Sequence, residues 1–170
     1  MQTMKKITPF LIIFVIVGII VALFLSLGSA QKMIVIQKGN MKKIPLKMEL
    51  NKCQDSFCGM VITELTYASQ VIAPDGNTWF FHDHGDFIEW LKDKPFAKDA
   101  VIWVMSRDTN RWIDAKKAYY STNEITPMGY GFGAYEKNRK GFIDFETMRM
   151  RTLRGETMKN PKLYKQLRDK

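Results

Sequence analysis

From Pro9 to Ala30 the chain reads PFLIIFVIVGIIVALFLSLGSA, without one charged residue. An apolar run of about 18 residues or more can cross a bilayer as a helix. The apolar part of a signal peptide is shorter, about 7–15 residues. The run therefore predicts a transmembrane anchor. Lys5 and Lys6 stand on its N-terminal side, and basic residues favour the cytoplasmic end of a span. Everything beyond residue 30 is then exported. The small residues Gly28, Ser29 and Ala30 also fit a cleavage site, which would leave a soluble protein starting at Gln31. No cysteine lies near Ala30, so this end does not carry the lipid attachment of a lipoprotein.

Residues 31–170 are enough for one ordinary domain with its own core. The chain carries 26 Lys and Arg against 17 Asp and Glu, a formal charge of +9, or +7 once Lys5 and Lys6 are set aside. An exported domain meets little nucleic acid, so the basic balance points to an anionic membrane surface, an acidic partner or simply a solvated surface.

Residues 31–50 read as linker and first strand: MIVI is β-branched, Gly39-Asn40 marks a turn, and Ile44 to Leu50 alternates loosely. The segment VITELTYASQVIA, the turn Pro74-Asp75-Gly76-Asn77 and TWFFHDH predict a hairpin. GDFIEWLKD, residues 85–93, has helical spacing, and AVIWVMS, residues 100–106, reads as a buried strand. WIDAKKAYYST (112–122) and the glycine-rich ITPMGYGFGAYE (125–136) are further strand candidates. Glycine at every second position from Gly129 to Gly133 allows a close approach there. FETMRMRTLRGE (145–156) predicts a short helix, and residues 137–170 form a basic C-terminal helix and tail with a frayed end. Strands interleaved with single helices predict an α+β fold on an antiparallel sheet, built from ββαβ-like units after the N-terminal transmembrane helix.

The chemistry-bearing residues are few. Cys53 and Cys58 are the two cysteines, within NKCQDSFCGMVITE. In an oxidising compartment a near pair is a disulfide candidate. The C-x4-C spacing completes neither a zinc site nor a redox C-x-x-C motif. Cys58 and Met60 instead offer two soft sulfurs at i and i+2, which on a strand share a face and would suit Cu(I). Met60 as ordinary core packing stands beside that reading. His82 and His84, the only histidines, also share a face if the strand continues, and would form a ligand pair. Otherwise they are junction residues, with Asp83 or Asp86 capping the helix.

CGM at 58–60, the aromatic strand and Trp-bearing helix after it, WIDAKKAYY at 112–120 and TPMGYGFGAY at 126–135 together resemble the NosL family over residues 51–136. The resemblance implies an α+β periplasmic Cu(I)-binding accessory protein, not an enzyme. Such a protein passes copper to nitrous oxide reductase, with a membrane copper or ABC-type transporter as a further partner. It implies Cys58, Met60 and Met128 as ligands, with Cys53 in the place of the family's first cysteine. The chain departs from the family in spacing, C-x4-C-G-M against C-x2-C-G-M, and in using an apolar helix where members carry a lipid-bearing cysteine. The expected location is the inner membrane, single-pass, with the domain in the periplasm. Two other classes compete. One is a thiol-dependent lyase, since the family's fold is similar to organomercurial lyase. The other is a membrane-tethered domain with a simple disulfide.

Overall fold

The computed structural model describes residues 3–28 and 32–168, with side chains for 11–26 and 32–165. The chain divides into two compact units, Met1–Lys32 and Met33–Lys170. The first is one helix, α1 (Thr3–Gly28). Its described side chains, Leu11 to Ser26, are all exposed. Among the described residues no helix is long and apolar enough to cross a membrane. Ser29 and Ala30 of the cleavage reading lie outside the described residues.

The second unit mixes helix with antiparallel sheet, as the order of elements predicts. Five strands, β1 (Ile36–Gln37), β2 (Ser69–Ile72), β3 (Thr78–Phe81), β4 (Val101–Met105) and β5 (Trp112–Asp114), form one sheet in the order β1-β3-β2-β4-β5. All its pairings are antiparallel. The predicted hairpin is β2–β3, with Val71 opposite Trp79 and the turn closed by Ala73 and Asn77. Helix α2 (His84–Leu91) follows β3 directly. A small pair, β6 (Tyr119–Tyr120) with β7 (Ala134–Tyr135), and helices α3 (Phe145–Leu153) and α4 (Pro161–Arg168) complete the unit.

Period-2 alternation gives the sheet two buried faces. Val71, Phe81, Ile102 and Val104 pack with Phe87, Leu91, Phe145 and Met148 in the larger core. Phe80 turns the other way and packs with Met48, Cys53, Ile62 and Ala68. The cysteine segment is thus the cover of the second face.

Three strand expectations fail for identifiable reasons. Residues 44–50 are irregular: the backbone N–H and C=O of Leu46 bond the side-chain amide of Gln70 (2.8 Å each) and so need no neighbouring strand. The 112–122 segment breaks where Asp114 accepts from Lys116 N–H and starts a 3-10 turn at Ala115–Lys117. The 125–136 segment is mostly loop, because Gly129 and Gly131 take positive φ of 73° and 86°. The close approach expected there is present, since a Cβ on Gly131 would lie 2.3 Å from Met158 Cγ. The basic tail, expected frayed, is helical through Arg168.

Candidate metal centre

Cys58 sits in a tight turn, not on a strand. Gln54 bridges Val61 to close the turn, and Asp55 N–H donates to the Met60 carbonyl at 2.8 Å. Gly59 makes the reversal with φ of 76°, a conformation that disfavours a side chain. The shared strand face expected for Cys58 and Met60 therefore does not exist. Met60 is 43% exposed on this turn.

His82 follows the last residue of β3. One carboxylate joins it to the turn. Asp55 Oδ1 accepts from Phe57 N–H (2.8 Å) and Cys58 N–H (3.1 Å). Asp55 Oδ2 accepts from His82 N–H (2.8 Å) and lies 2.7 Å from His82 Nδ1. The fourth member, Asp86, lies one helical turn past His82 in the first turn of α2, with Oδ2 3.5 Å from Nδ1. Cys58 Sγ is 3.8 Å from the same Nδ1. Ligand atoms of Asp55, Cys58, His82 and Asp86 all fall within 4.8 Å of one another, and the group can hold a metal ion.

The four do not contribute alike. Tetrahedral bonds of about 2.3 Å to sulfur and about 2.0 Å to nitrogen or oxygen put ligand atoms about 3.5 Å (S to N) and about 3.3 Å (N to O) apart. The Sγ to Nδ1 and Nδ1 to Asp86 Oδ2 distances are close to those edges, and Nδ1 can ligate only by giving up its 2.7 Å bond to Asp55. The Asp55 contact is a hydrogen bond, too short for two ligands of one ion, and both Asp55 oxygens already accept. Both oxygens of Asp86, by contrast, are buried without a hydrogen bond beyond the 3.5 Å ion pair of Oδ2 with His82, and His82 Nε2 is buried without one as well. A buried polar group without a partner is costly, and an ion at Asp86 would relieve it. Cys58, His82 and Asp86 are thus the ligands this geometry favours, and Asp55 holds two of their backbones in place.

The charges agree with an apo site that stores protons. Burial and the neighbouring Asp55 and Asp86 push the Cys58 thiol up to about 12. Burial, with Asp55 and Asp83 beside it, pushes Asp86 up to about 8. Burial works against the charged form of His82, but the bond to Asp55 and the field of three carboxylates outweigh it and hold its pKa above the usual value. Burial would raise Asp55 too, yet its bonds to His82, Phe57 and Cys58 leave it below the usual carboxylate range. A metal ion entering here displaces protons.

His84 and Cys53 lie outside this group. Asp83 caps α2 by accepting from Gly85 N–H (3.1 Å), so the chain turns at 83 and His84 begins the helix. The strand alternation ends there, and His84 does not share a face with His82. It is fully buried, bonded through Nδ1 to Ser69 Oγ at 2.8 Å, with its ring edge-on to Tyr120. Burial pushes its pKa down to about 3. Cys53 is 2% exposed in the second core, its thiol raised by burial, and both cysteines are free, so the disulfide expectation is not met. Met128 packs against the larger core, and its N–H donates to Asp83 Oδ2 at 2.9 Å.

Asp55 and Asp86 are the site residues that sequence reasoning missed as ligands or organisers. Their signals were an acid between the two cysteines and an acid four residues after His82. Comparison with family models, with curated proteins and with solved structures finds no match for this chain.

Proposed function

We propose that the protein is a metal-ion carrier whose cargo is copper, held as Cu(I) by Cys58 and His82. The observation behind this reading is the convergence of a free thiol, an imidazole and a carboxylate without a hydrogen bond from three segments within 4.8 Å. A thiolate is a soft donor and favours Cu(I). Cys58 lies at the rim of the domain, half-buried, where an incoming ligand can reach the ion. Two donors hold an ion less completely than a closed four-ligand site, which suits transfer. A thiol near pKa 12 is a poor nucleophile at neutral pH, which disfavours a lyase. By the resemblance, the recipient is nitrous oxide reductase, and a helix rich in exposed apolar side chains anchors the domain to the inner membrane, facing the periplasm.

The Asp86 carboxylate, which has no hydrogen bond, supports a second reading, a divalent ion such as Zn(II), because carboxylate oxygen suits a harder cation. Competition against chromogenic Cu(I) and Zn(II) chelators separates the two. For a copper carrier, Cys58→Ser abolishes tight Cu(I) binding, while Asp86→Asn changes it less than about threefold. A large loss of Zn(II) affinity in Asp86→Asn, with Cu(I) binding weak in the wild type, would establish the zinc reading. Wild-type affinity for both ions in Cys58→Ser would remove the site altogether.

A further inference from the structure

Away from the metal centre, α2, β4 and α3 enclose a groove of about 480 Å³, within the size range of small-ligand sites. Its floor is apolar: Leu91, Ile102 and Phe145 are core residues reaching its surface, and the 36%-exposed Leu153 forms one wall. Its rim is basic. Lys98 and Lys116 are exposed on opposite elements. Lys92 and Arg149 add two more cations, but each is bonded to an acid of its own helix, Glu89 and Glu146 (2.9 Å each). Of these acids only Glu146 lines the groove.

We propose that this groove binds a free fatty carboxylate, with the chain on the apolar floor and the carboxylate against Lys98 and Lys116. Three features select that occupant. The apolar floor takes up hydrocarbon, which gains by leaving water. The cations at the rim repel metal ions and favour an anion. They also disfavour a second copy of this chain, which carries the same basic face and a formal charge of +9. A groove this size takes one chain, which fits a free single-chain acid better than a two-chain membrane lipid.

The test uses the full chain in lipid nanodiscs with a photoactivatable dodecanoate, its adducts located by peptide mass spectrometry. Adducts on α1 serve as the internal reference for non-selective labelling. Adducts are expected on peptides containing Leu91 and Leu153. Charge reversal at the exposed rim, Lys98→Glu with Lys116→Glu, should lower them about tenfold with α1 labelling unchanged. Ala97→Trp, which fills the groove, should lower them as well, with Cu(I) affinity retained as the sign of an intact domain. Groove labelling insensitive to charge reversal, equally strong with the dodecanol analogue, or confined to α1 would overturn the proposal. So would a concentration-dependent dimer that protects Leu153 from labelling.

Discussion

Replacing Asp55 by Asn isolates the group that organises the metal centre. The carboxylate accepts four hydrogen bonds, two per oxygen. Asparagine keeps one oxygen. If that oxygen stays with Phe57 and Cys58, the amide NH2 faces His82 N–H, and two donors meet in a buried place. His82 Nδ1 can give up its proton and accept from the amide, so one backbone N–H is left unsatisfied and one charge-assisted bond is exchanged for a neutral one. An unsatisfied buried donor costs about 1–3 kcal/mol, and a bond to a charged group contributes about 1.5–3 kcal/mol. The expected loss is therefore roughly 2–5 kcal/mol of apo stability. Cys58→Ser is the control, because the contact of its thiol with His82 Nδ1 is loose at 3.8 Å, and it should cost less than about 1 kcal/mol. Urea unfolding followed by tryptophan fluorescence measures both, since Trp79, Trp90, Trp103 and Trp112 all lie in the Met33–Lys170 unit. The pH window is fixed by two opposite shifts. Asp55 is depressed, so its contribution is present above its unfolded value of about 3.9 and lost as pH falls through the folded one. His82 is raised, so its contribution is full below about 6.5 and lost as pH rises through its folded value. The gap between wild type and Asp55→Asn should be widest between about pH 4 and 6.5. A gap below about 0.5 kcal/mol, or one no larger than that of Cys58→Ser, would refute the hub.

Two other perturbations follow from the same neighbourhood. His84 is neutral in the fold with its pKa lowered to about 3; the unfolded chain protonates it below about 6.5, so it costs up to about 1.4 kcal/mol of stability per pH unit as pH falls from 6 to 4. His84→Gln should flatten that part of the stability curve, and parallel curves for the two proteins would contradict the assignment. A Cβ on Gly85 would lie 1.9 Å from Tyr130 Cγ, so Gly85→Ala should destabilise by about 2–3 kcal/mol through overpacking and displace the first turn of α2. Thermal unfolding reads the first effect, and weakened metal binding the second.

The parts of the fold that were legible are those whose signal is local. The Pro74–Asn77 turn, the spacing of Phe87, Ile88 and Leu91, and the apolar 100–106 run all describe their own conformation, and the structure follows them. Residues 44–50 were not legible, because their partner is the side chain of Gln70, more than twenty residues away. The site was half legible for a similar reason. Cys58 and His82 stand out because thiol and imidazole are rare here, two of each in the chain. Asp55 and Asp86 belong to a common residue type whose usual place is a solvated turn or a helix cap. Asp83, the cap that the sequence did suggest, decides the matter for His84. By accepting from Gly85 N–H it starts the helix two residues after His82 and sends the second histidine into the core.

That same cap explains why Asp86 reaches the ion site. A helix begun at His84 puts residue 86 in its first turn, one turn along from His82. The raised pKa of Asp86 favours its neutral form, so the apo domain avoids a further buried carboxylate charge beside Asp55. A cation would reverse the preference, favouring the carboxylate and the thiolate together. The group is thus arranged so that a cation would exchange with protons, and the cost of burying Asp86 without a hydrogen bond is one that a bound cation would offset.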